Sequence, residues 1–145
     1  MRPLMWKAAL RQYHLAPLTG TGSGTYLFYG REFRSPLIQN DPMHVHNDYL
    51  ELLAEYGLIG AVLYGAFLGV HLFSGLAGLR KMVREQIRLG TPRLSHDLAL
   101  NIGALAAIAA LLLHSVVDFN MHIPANALLV ALCLAYWRAR GVTLK

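Results

Sequence analysis

The stretch LIGAVLYGAFLGVHLFSGLAGL, residues 58–79, decides the fold class, because it runs for 22 residues without a charged side chain. A helix needs about 20 predominantly apolar residues to cross the roughly 30 Å hydrocarbon core of a bilayer. A second charge-free stretch, residues 98–117, is long enough as well. A third, residues 123–137, spans only about 22 Å at about 1.5 Å per residue. We therefore expect about three transmembrane helices, of which the third is short or broken at residues 118–124.

The composition agrees with this expectation. Of the 145 residues, 55% are hydrophobic and only 14% are charged, and the mean hydropathy is +0.39. Soluble domains usually contain about 25% charged residues. The single cysteine, Cys133, excludes an internal disulfide framework and a CxxC metal site. These features predict an all-α integral membrane protein.

The net charge of +5 comes from basic residues that flank the apolar stretches. Residues 80–97 and 138–145 together contain eight Lys or Arg and two acids, whereas residues 1–57 contain five of each. The positive-inside rule places the first group in the cytoplasm and residues 1–57 outside. This distribution argues against nucleic-acid binding, which requires a continuous basic surface. Trp137 lies where an interfacial aromatic anchor is expected.

Residues 1–57 predict a mixed periplasmic loop region with short helices, followed by transmembrane helices in residues 58–145. The N-terminus has no apolar core of the kind that a signal peptide needs. We therefore expect the chain to be the C-terminal part of a longer multi-pass protein. Asp41 and Pro42 resemble an N-cap followed by proline at the first helical position, which predicts a helix running from Pro42 into the first span.

The segment HNDYLELLAEYGLIG, residues 46–60, is a candidate site. On a helix, His46, Gly57 and Gly60 share an inward face, whereas the three acids between them face elsewhere. A partner for His46 must then come from another segment. The two glycines would let another helix or a lipid-linked substrate approach closely. A plain helix-packing face with a polar entry at the membrane surface is the alternative.

Polar residues also cluster at the expected break, in HSVVDFNMHIPANA, residues 114–127, with Asp118 at the centre. Polar groups at a membrane are costly unless protein or a cavity surrounds them. The cluster predicts either a network that caps two helix ends or part of a substrate cavity. The histidine spacings match no known metal-ligand set, so no metal is expected. Residues 20–24 lack the Lys-Ser/Thr of a phosphate loop and predict a flexible turn.

These motifs together resemble the O-antigen ligase and O-antigen polymerase family. His46-Asn47 followed nine residues later by GLIG resembles the family's H[NS]-x9-GxxG signature. PLTGTGSGTY at 17–26 and HSVVDFNMHIPANALL at 114–129 are similar to two further family segments, and Arg2 with Trp6 resembles the start of the large external loop. Ala61, after the GxxG motif, departs from the residues frequent in ligases. The resemblance covers the C-terminal portion of a family member.

The resemblance implies a metal-independent glycosyltransferase or ligase of the bacterial inner membrane that uses no cofactor. Its donor would be a glycan on undecaprenyl diphosphate, and its acceptor a hydroxyl of lipid A-core type on the periplasmic face. His46 corresponds to the catalytic base, for which an imidazole is suited. The resemblance also implies substrate-binding and motif residues, namely Arg2, Arg31, Arg34 and Asn47 for substrate, and Gly57, Gly60 and Asp118 for the motifs.

Two other functions remain open from the sequence. An O-antigen polymerase or a ligase that glycosylates proteins would use the same lipid-linked donor and differ in its acceptor, a sugar or a protein instead of a lipid. A non-catalytic, truncated membrane protein would retain the motifs but lack the donor groove.

Overall fold

The computed structural model describes residues 1–41, 43–90 and 95–143, and every regular element among them is helical. This confirms the predicted all-helical class. The elements are α1 (Arg2–Tyr13), α2 (Tyr26–Glu32), α3 (Asp48–Arg88), α4 (His96–His114), a 3₁₀ turn (Asn120–His122) and α5 (Pro124–Thr143). They form two compact units, of which the first comprises Met1–Gly65 with Leu113–Ile123 and the second Ala66–Leu112 with the described part of Pro124–Lys145.

The core of the first unit forms where α1 packs against α2 and the start of α3. Small residues, Ala8 and Ala9 on α1 and Ala54 on α3, cluster with the ring of Tyr26, which is fully buried. The Tyr26 hydroxyl donates a hydrogen bond to the carbonyl of Met5 over 3.3 Å, so that its polar end is satisfied inside the core. This packing fixes residues 1–32 against α3, which carries most of the candidate site.

Helix α3 is broken at Gly57, whose backbone adopts φ 64° and ψ −168°. The break frees two amide groups, which bond to another segment. The amides of Leu58 and Ile59 donate to the carbonyls of Pro17 and Leu18 over 2.8 and 3.0 Å. A Cβ at position 57 would lie 2.4 Å from the Leu18 carbonyl oxygen. Gly57, the first glycine of the GxxG motif, therefore allows close approach of a loop backbone, and not of the helix or lipid-linked substrate that the sequence suggested.

The loop that contains residues 20–24 is bonded to α3 on the other side of the same break. The amides of Thr21 and Gly22 donate to the carbonyls of Ala54 and Glu55 over 3.2 and 2.9 Å. Gly20 has φ 72°, and a Cβ there would lie 2.2 Å from the Glu55 oxygen. Residues 20–24 contain a turn, as predicted, and the loop is bonded to α3, because both helix ends at the break need backbone partners and this loop supplies them.

Helix α3 begins at Asp48, and the predicted start near residue 42 is wrong. His46 has φ 54°, a left-handed conformation that a right-handed helix cannot include. The side-chain oxygen of Asn47 accepts a hydrogen bond from the Leu50 amide over 3.0 Å, which makes Asn47 the N-cap. His46 therefore does not lie on a helical face. Pro42 itself lies outside the described residues.

Two helices are long and apolar enough to cross a membrane, α3 and α4, in the part of the chain that the structure describes. The third apolar stretch is shorter and covers Pro124–Trp137 of α5. Helix α4 ends at His114 and α5 begins at Pro124, so the chain is broken near residues 118–124, as expected. Within the second unit, Trp137 is 1% exposed and donates to the carbonyl of Asn101 over 2.9 Å. Its ring packs inside the protein and is not the exposed interfacial anchor that the sequence predicted.

Candidate functional site

His46 and Asp118 form the centre of the candidate site, which lies entirely in the first unit. His46 Nδ1 lies 3.0 Å from Asp118 Oδ1, although 72 residues separate the two in sequence. This confirms that the partner of His46 comes from another segment. The indole N–H of Trp6 donates to the carbonyl of His46 over 3.3 Å and holds its unusual backbone from the α1 side. The imidazole is one-third exposed, so it remains accessible.

Several positively charged or polar groups surround the carboxylate of Asp118. The Phe119 amide donates to Oδ1 over 3.0 Å, and Oδ2 lies 3.5 Å from His114 Nε2 and 4.0 Å from an Arg2 nitrogen. The hydrogen bond from His46 is the main cause that lowers the pKa of Asp118 below its ordinary value. The carboxylate therefore stays ionised and favours the tautomer in which His46 Nδ1 carries the proton. In that tautomer Nε2 is unprotonated and can accept a proton.

The ring of Phe119 holds two histidines in place. Its centroid lies 4.7 Å from that of His44, in a stacked arrangement, and 4.9 Å from that of His46, in an edge-on arrangement. These contacts limit rotation of both imidazoles about their side-chain bonds. The residue that follows Asp118 in the sequence thus helps to position the imidazoles of His44 and His46.

Three buried acids on α3 are functional candidates that the sequence analysis missed. Asp48, Glu51 and Glu55 are 6%, 2% and 3% exposed, although the helical projection turned them away from the interior. The buried face of α3 is the face that carries these acids and Ala54, and not the face that the projection assigned to the interior. Their spacing of three and four residues, which places them on one helix face, was the signal that could have found them. The Glu55 carboxylate accepts the amides of Gly24 and Tyr26 over 2.9 and 3.0 Å.

The other two acids bind histidines. Glu51 Oε1 lies 2.9 Å from His44 Nδ1 and 3.3 Å from His122 Nε2. Asp48 Oδ1 lies 3.0 Å from His122 Nδ1, and the other Asp48 oxygen accepts the amide of Met121. The hydrogen bond to Asp48 is the largest of the effects that raise the pKa of His122. This network attaches the 3₁₀ turn to the first turn of α3.

The remaining site residues from the sequence lie in three different settings. Arg2 is half-exposed and approaches Asp118, as described above. Arg31 and Arg34 both bind the carboxylate of Asp41 over 2.5 and 2.6 Å, and no hydrogen bond or ion pair among the described residues joins them to His46. The side-chain oxygen of Asn47 caps α3. The structure thus brings Arg2, His46 and Asp118 together and leaves Arg31 and Arg34 in a separate pair of contacts.

A cavity of about 300 Å³ adjoins the acidic face of α3. Its wall combines aromatic rings with polar groups, contributed by Tyr49, Tyr56, Tyr64, Asp48, Glu55, Ser115 and His122. Tyrosines flanked by hydrogen-bonding groups are suited to an amphipathic ligand such as a sugar, because a ring can cover its apolar face.

No curated protein and no solved structure matches the chain significantly. The family model described as O-Antigen ligase matches residues 1–65, which contain Arg2, His46, Gly57 and Gly60. The same residues make up the first segment of the first unit. The family is associated with membranes and with glycosyl transfer in polysaccharide synthesis. Over residues 1–65 this chain is therefore similar to the O-antigen ligase family, as its motifs predicted.

Proposed function

We propose that this chain carries the acceptor-activating site of an O-antigen ligase-like glycosyltransferase. The enzyme transfers a glycan from undecaprenyl diphosphate to an acceptor hydroxyl at the periplasmic face of the inner membrane. The observation that carries the proposal is the 3.0 Å hydrogen bond between His46 and Asp118. His46 lies inside the segment that matches the family model, and Asp118 lies outside it. A histidine oriented by a carboxylate is a recurring device for taking a proton from a hydroxyl.

In the proposed reaction His46 Nε2 takes the proton of the acceptor hydroxyl while the acceptor oxygen bonds to the anomeric carbon of the donor sugar. The bond between that carbon and the diphosphate oxygen breaks, and the diphosphate leaves with the electron pair. Asp118 stabilises the imidazolium that forms, because its carboxylate already accepts the Nδ1 hydrogen. A positioned general base contributes about 10²–10⁴-fold to a rate.

Arg2 is the donor-binding residue in this proposal. Its guanidinium is 49% exposed and lies 4.0 Å from Asp118, which supports a position beside the reacting groups. A guanidinium can donate to two phosphate oxygens at once and stabilise the charge that develops on the leaving diphosphate. The leaving group needs no metal for this stabilisation if arginines supply the charge. Arg31 and Arg34 would have to exchange Asp41 for phosphate in order to take part.

The test is glycan transfer by variants of the protein as its gene encodes it, with membrane abundance measured in parallel. His46→Ala should lower the transfer rate by about 10²–10⁴-fold. Asp118→Asn should lower it less, because the base remains but loses its fixed orientation. His14→Ala is the matched control, since His14 is an exposed histidine of the same unit at the end of α1. Transfer by the His46 variant at the parental rate would contradict the proposal.

The acceptor is decided by the same assay with different substrates. Lipid A-core, a second lipid-linked glycan and a protein serine distinguish a ligase, a polymerase and a protein glycosyltransferase, since all three use one donor. Absence of transfer to every acceptor by the unmodified protein would favour the non-catalytic alternative.

A further inference from the structure

A second cluster of side chains lies beside the proposed base and has no role in the proposed reaction. His44, Glu51 and His122 each offer one possible ligand atom, and these atoms lie within 4.8 Å of one another. His44 Nδ1 and His122 Nε2 approach the same Glu51 oxygen to 2.9 and 3.3 Å. Ligand atoms at about 2.0–2.2 Å from one tetrahedral zinc ion lie about 3.3–3.6 Å apart, which is close to these two separations.

The surrounding groups orient these ligands as they would around a metal ion. Asp48, which is 6% exposed, binds His122 Nδ1 and leaves His122 Nε2 directed at the cluster. The amide of Val45 donates to the second Glu51 oxygen over 2.8 Å, so Oε1 is the oxygen that faces the histidines. A carboxylate on the far nitrogen of a ligating histidine is the usual outer partner of zinc-binding histidines.

Charge and access favour a cation at this point. Asp48 and Glu51 are both almost fully buried, and buried carboxylates are unfavourable unless positive charge compensates them. A cavity of about 290 Å³ opens onto the cluster and is lined by His44, Glu51, His122 and Tyr56, among others. An ion could enter through this cavity, and a water or substrate oxygen could complete its coordination. Two histidines and one glutamate with an open position form a known zinc ligand set.

We propose that His44, Glu51 and His122 bind one divalent transition-metal ion, with zinc the ion that suits these ligands best, and that Asp48 is the outer partner of His122. The site connects the start of α3 to His122, the last residue of the 3₁₀ turn, which lies four residues after Asp118. His46 is not one of the three residues of the cluster, and its Nδ1 is bound to Asp118. The ion therefore acts by positioning the turn next to the proposed base, and its binding does not depend on the proposed function.

The experiment uses the full chain, purified in detergent and freed of metal with a chelator. Zn²⁺ binding is measured by calorimetry, and Co²⁺ is used as a spectroscopic probe. We expect one tight site and the strong visible absorption of four-coordinate Co²⁺. Glu51→Gln and His122→Gln should abolish both signals, and Asp48→Asn should weaken zinc binding about 10–100-fold. His14→Gln, which removes an exposed histidine outside the cluster, should bind as the unmodified chain does.

X-ray absorption of the zinc-loaded, unmodified chain provides a test that needs no variant. The proposal requires nitrogen and oxygen ligands at about 2.0–2.2 Å with the scattering signature of two imidazoles. It is overturned if the unmodified chain binds Zn²⁺ no more tightly than Glu51→Gln does, or if the absorption spectrum shows only water ligands. In either case the cluster is an ordinary hydrogen-bond network. Loss of transfer in His46→Ala with zinc binding retained separates the two proposals.

Discussion

At the scale of single residues, the site depends on backbone conformations that place side chains outside regular helix. His46 adopts φ 54°, and Asn47 caps α3 directly after it. A non-glycine residue in this conformation is uncommon and persists only when its surroundings hold it. The Trp6 indole and the Asp118 carboxylate supply that support from two other segments. The proposed base is thus already oriented by the protein itself.

Arg2 offers a residue-scale test of donor binding. An ammonium keeps the charge of a guanidinium but cannot grip two phosphate oxygens in one plane. Arg2→Lys should therefore lose much of the transfer activity, and Arg2→Ala should lose more. The measurement is the transfer rate against the concentration of lipid-linked donor. Arg31→Lys and Arg34→Lys should be milder, because both side chains bind Asp41. If both Arg2 variants keep the parental donor dependence, Arg2 is an ordinary surface arginine.

The lowered pKa of Asp118 predicts a pH dependence of stability. A group whose pKa is depressed by folding stabilises the native state above the unfolded pKa, which is about 3.9 for aspartate. This contribution is lost as the pH falls through the lower, folded pKa. We expect the melting temperature of the parent to fall more steeply below about pH 4 than that of Asp118→Asn. Thermal unfolding in detergent between pH 2 and pH 6 measures both melting temperatures. Parallel curves of melting temperature against pH for the two proteins would show that the bond to His46 does not contribute to stability.

At the scale of elements, the break in α3 is the feature that positions the site. A continuous helix from Asp48 would leave no open amides or carbonyls for residues 17–22. The bonds of that loop to both sides of Gly57 connect the PLTGTG and GxxG motifs, which are 35 or more residues apart in sequence. The loop in turn leads to Gly24 and Tyr26, whose amides bind Glu55. Two motifs that look independent in the sequence are therefore one structural element.

Substitution at the break tests this account. Gly57→Ala should destabilise the protein by about 1–3 kcal/mol, because the residue would be strained at φ 64° and its Cβ would meet the Leu18 carbonyl. Gly65→Ala is the matched control in the same helix, since a Cβ there meets nothing within 4 Å. Gly65→Ala should leave the free energy of unfolding unchanged or raise it by up to about 1 kcal/mol. The measurement is unfolding in detergent followed by tryptophan fluorescence. Equal effects of the two variants would contradict the docking role of Gly57.

At the scale of the whole molecule, the charge distribution predicts an orientation in the membrane. Residues 1–57 should be periplasmic and residues 80–97 cytoplasmic. If α3 and α4 each cross the membrane once, the chain near Asp118 is on the same side as it was at His46. That placement matters for function, because His46 and Asp118 must meet on one side.

Cysteine labelling from outside tests the orientation in the protein as its gene encodes it. Every native cysteine, including Cys133, is first replaced by serine so that only the introduced thiol reacts. Leu37→Cys should react with an impermeant reagent in intact cells, and Ile87→Cys should not. Both side chains are about three-quarters exposed, so burial does not explain a difference between them. Permeabilised cells should label both. The reverse pattern would overturn the orientation and the periplasmic site with it.

The sequence by itself indicated the helical class, the candidate spans and the family resemblance, because all three depend on local patterns. Apolar runs predicted the spans, the break near Pro124 followed from its missing amide, and the motifs around His46 indicated O-antigen ligase. Only the tertiary structure decided which groups meet. The bond between His46 and Asp118 spans 72 residues, and the acids on α3 bind partners up to 74 residues away. His46 itself is a left-handed residue. Helical periodicity does not predict such contacts, because it describes the faces of one helix and not the segments that pack against those faces in the folded chain.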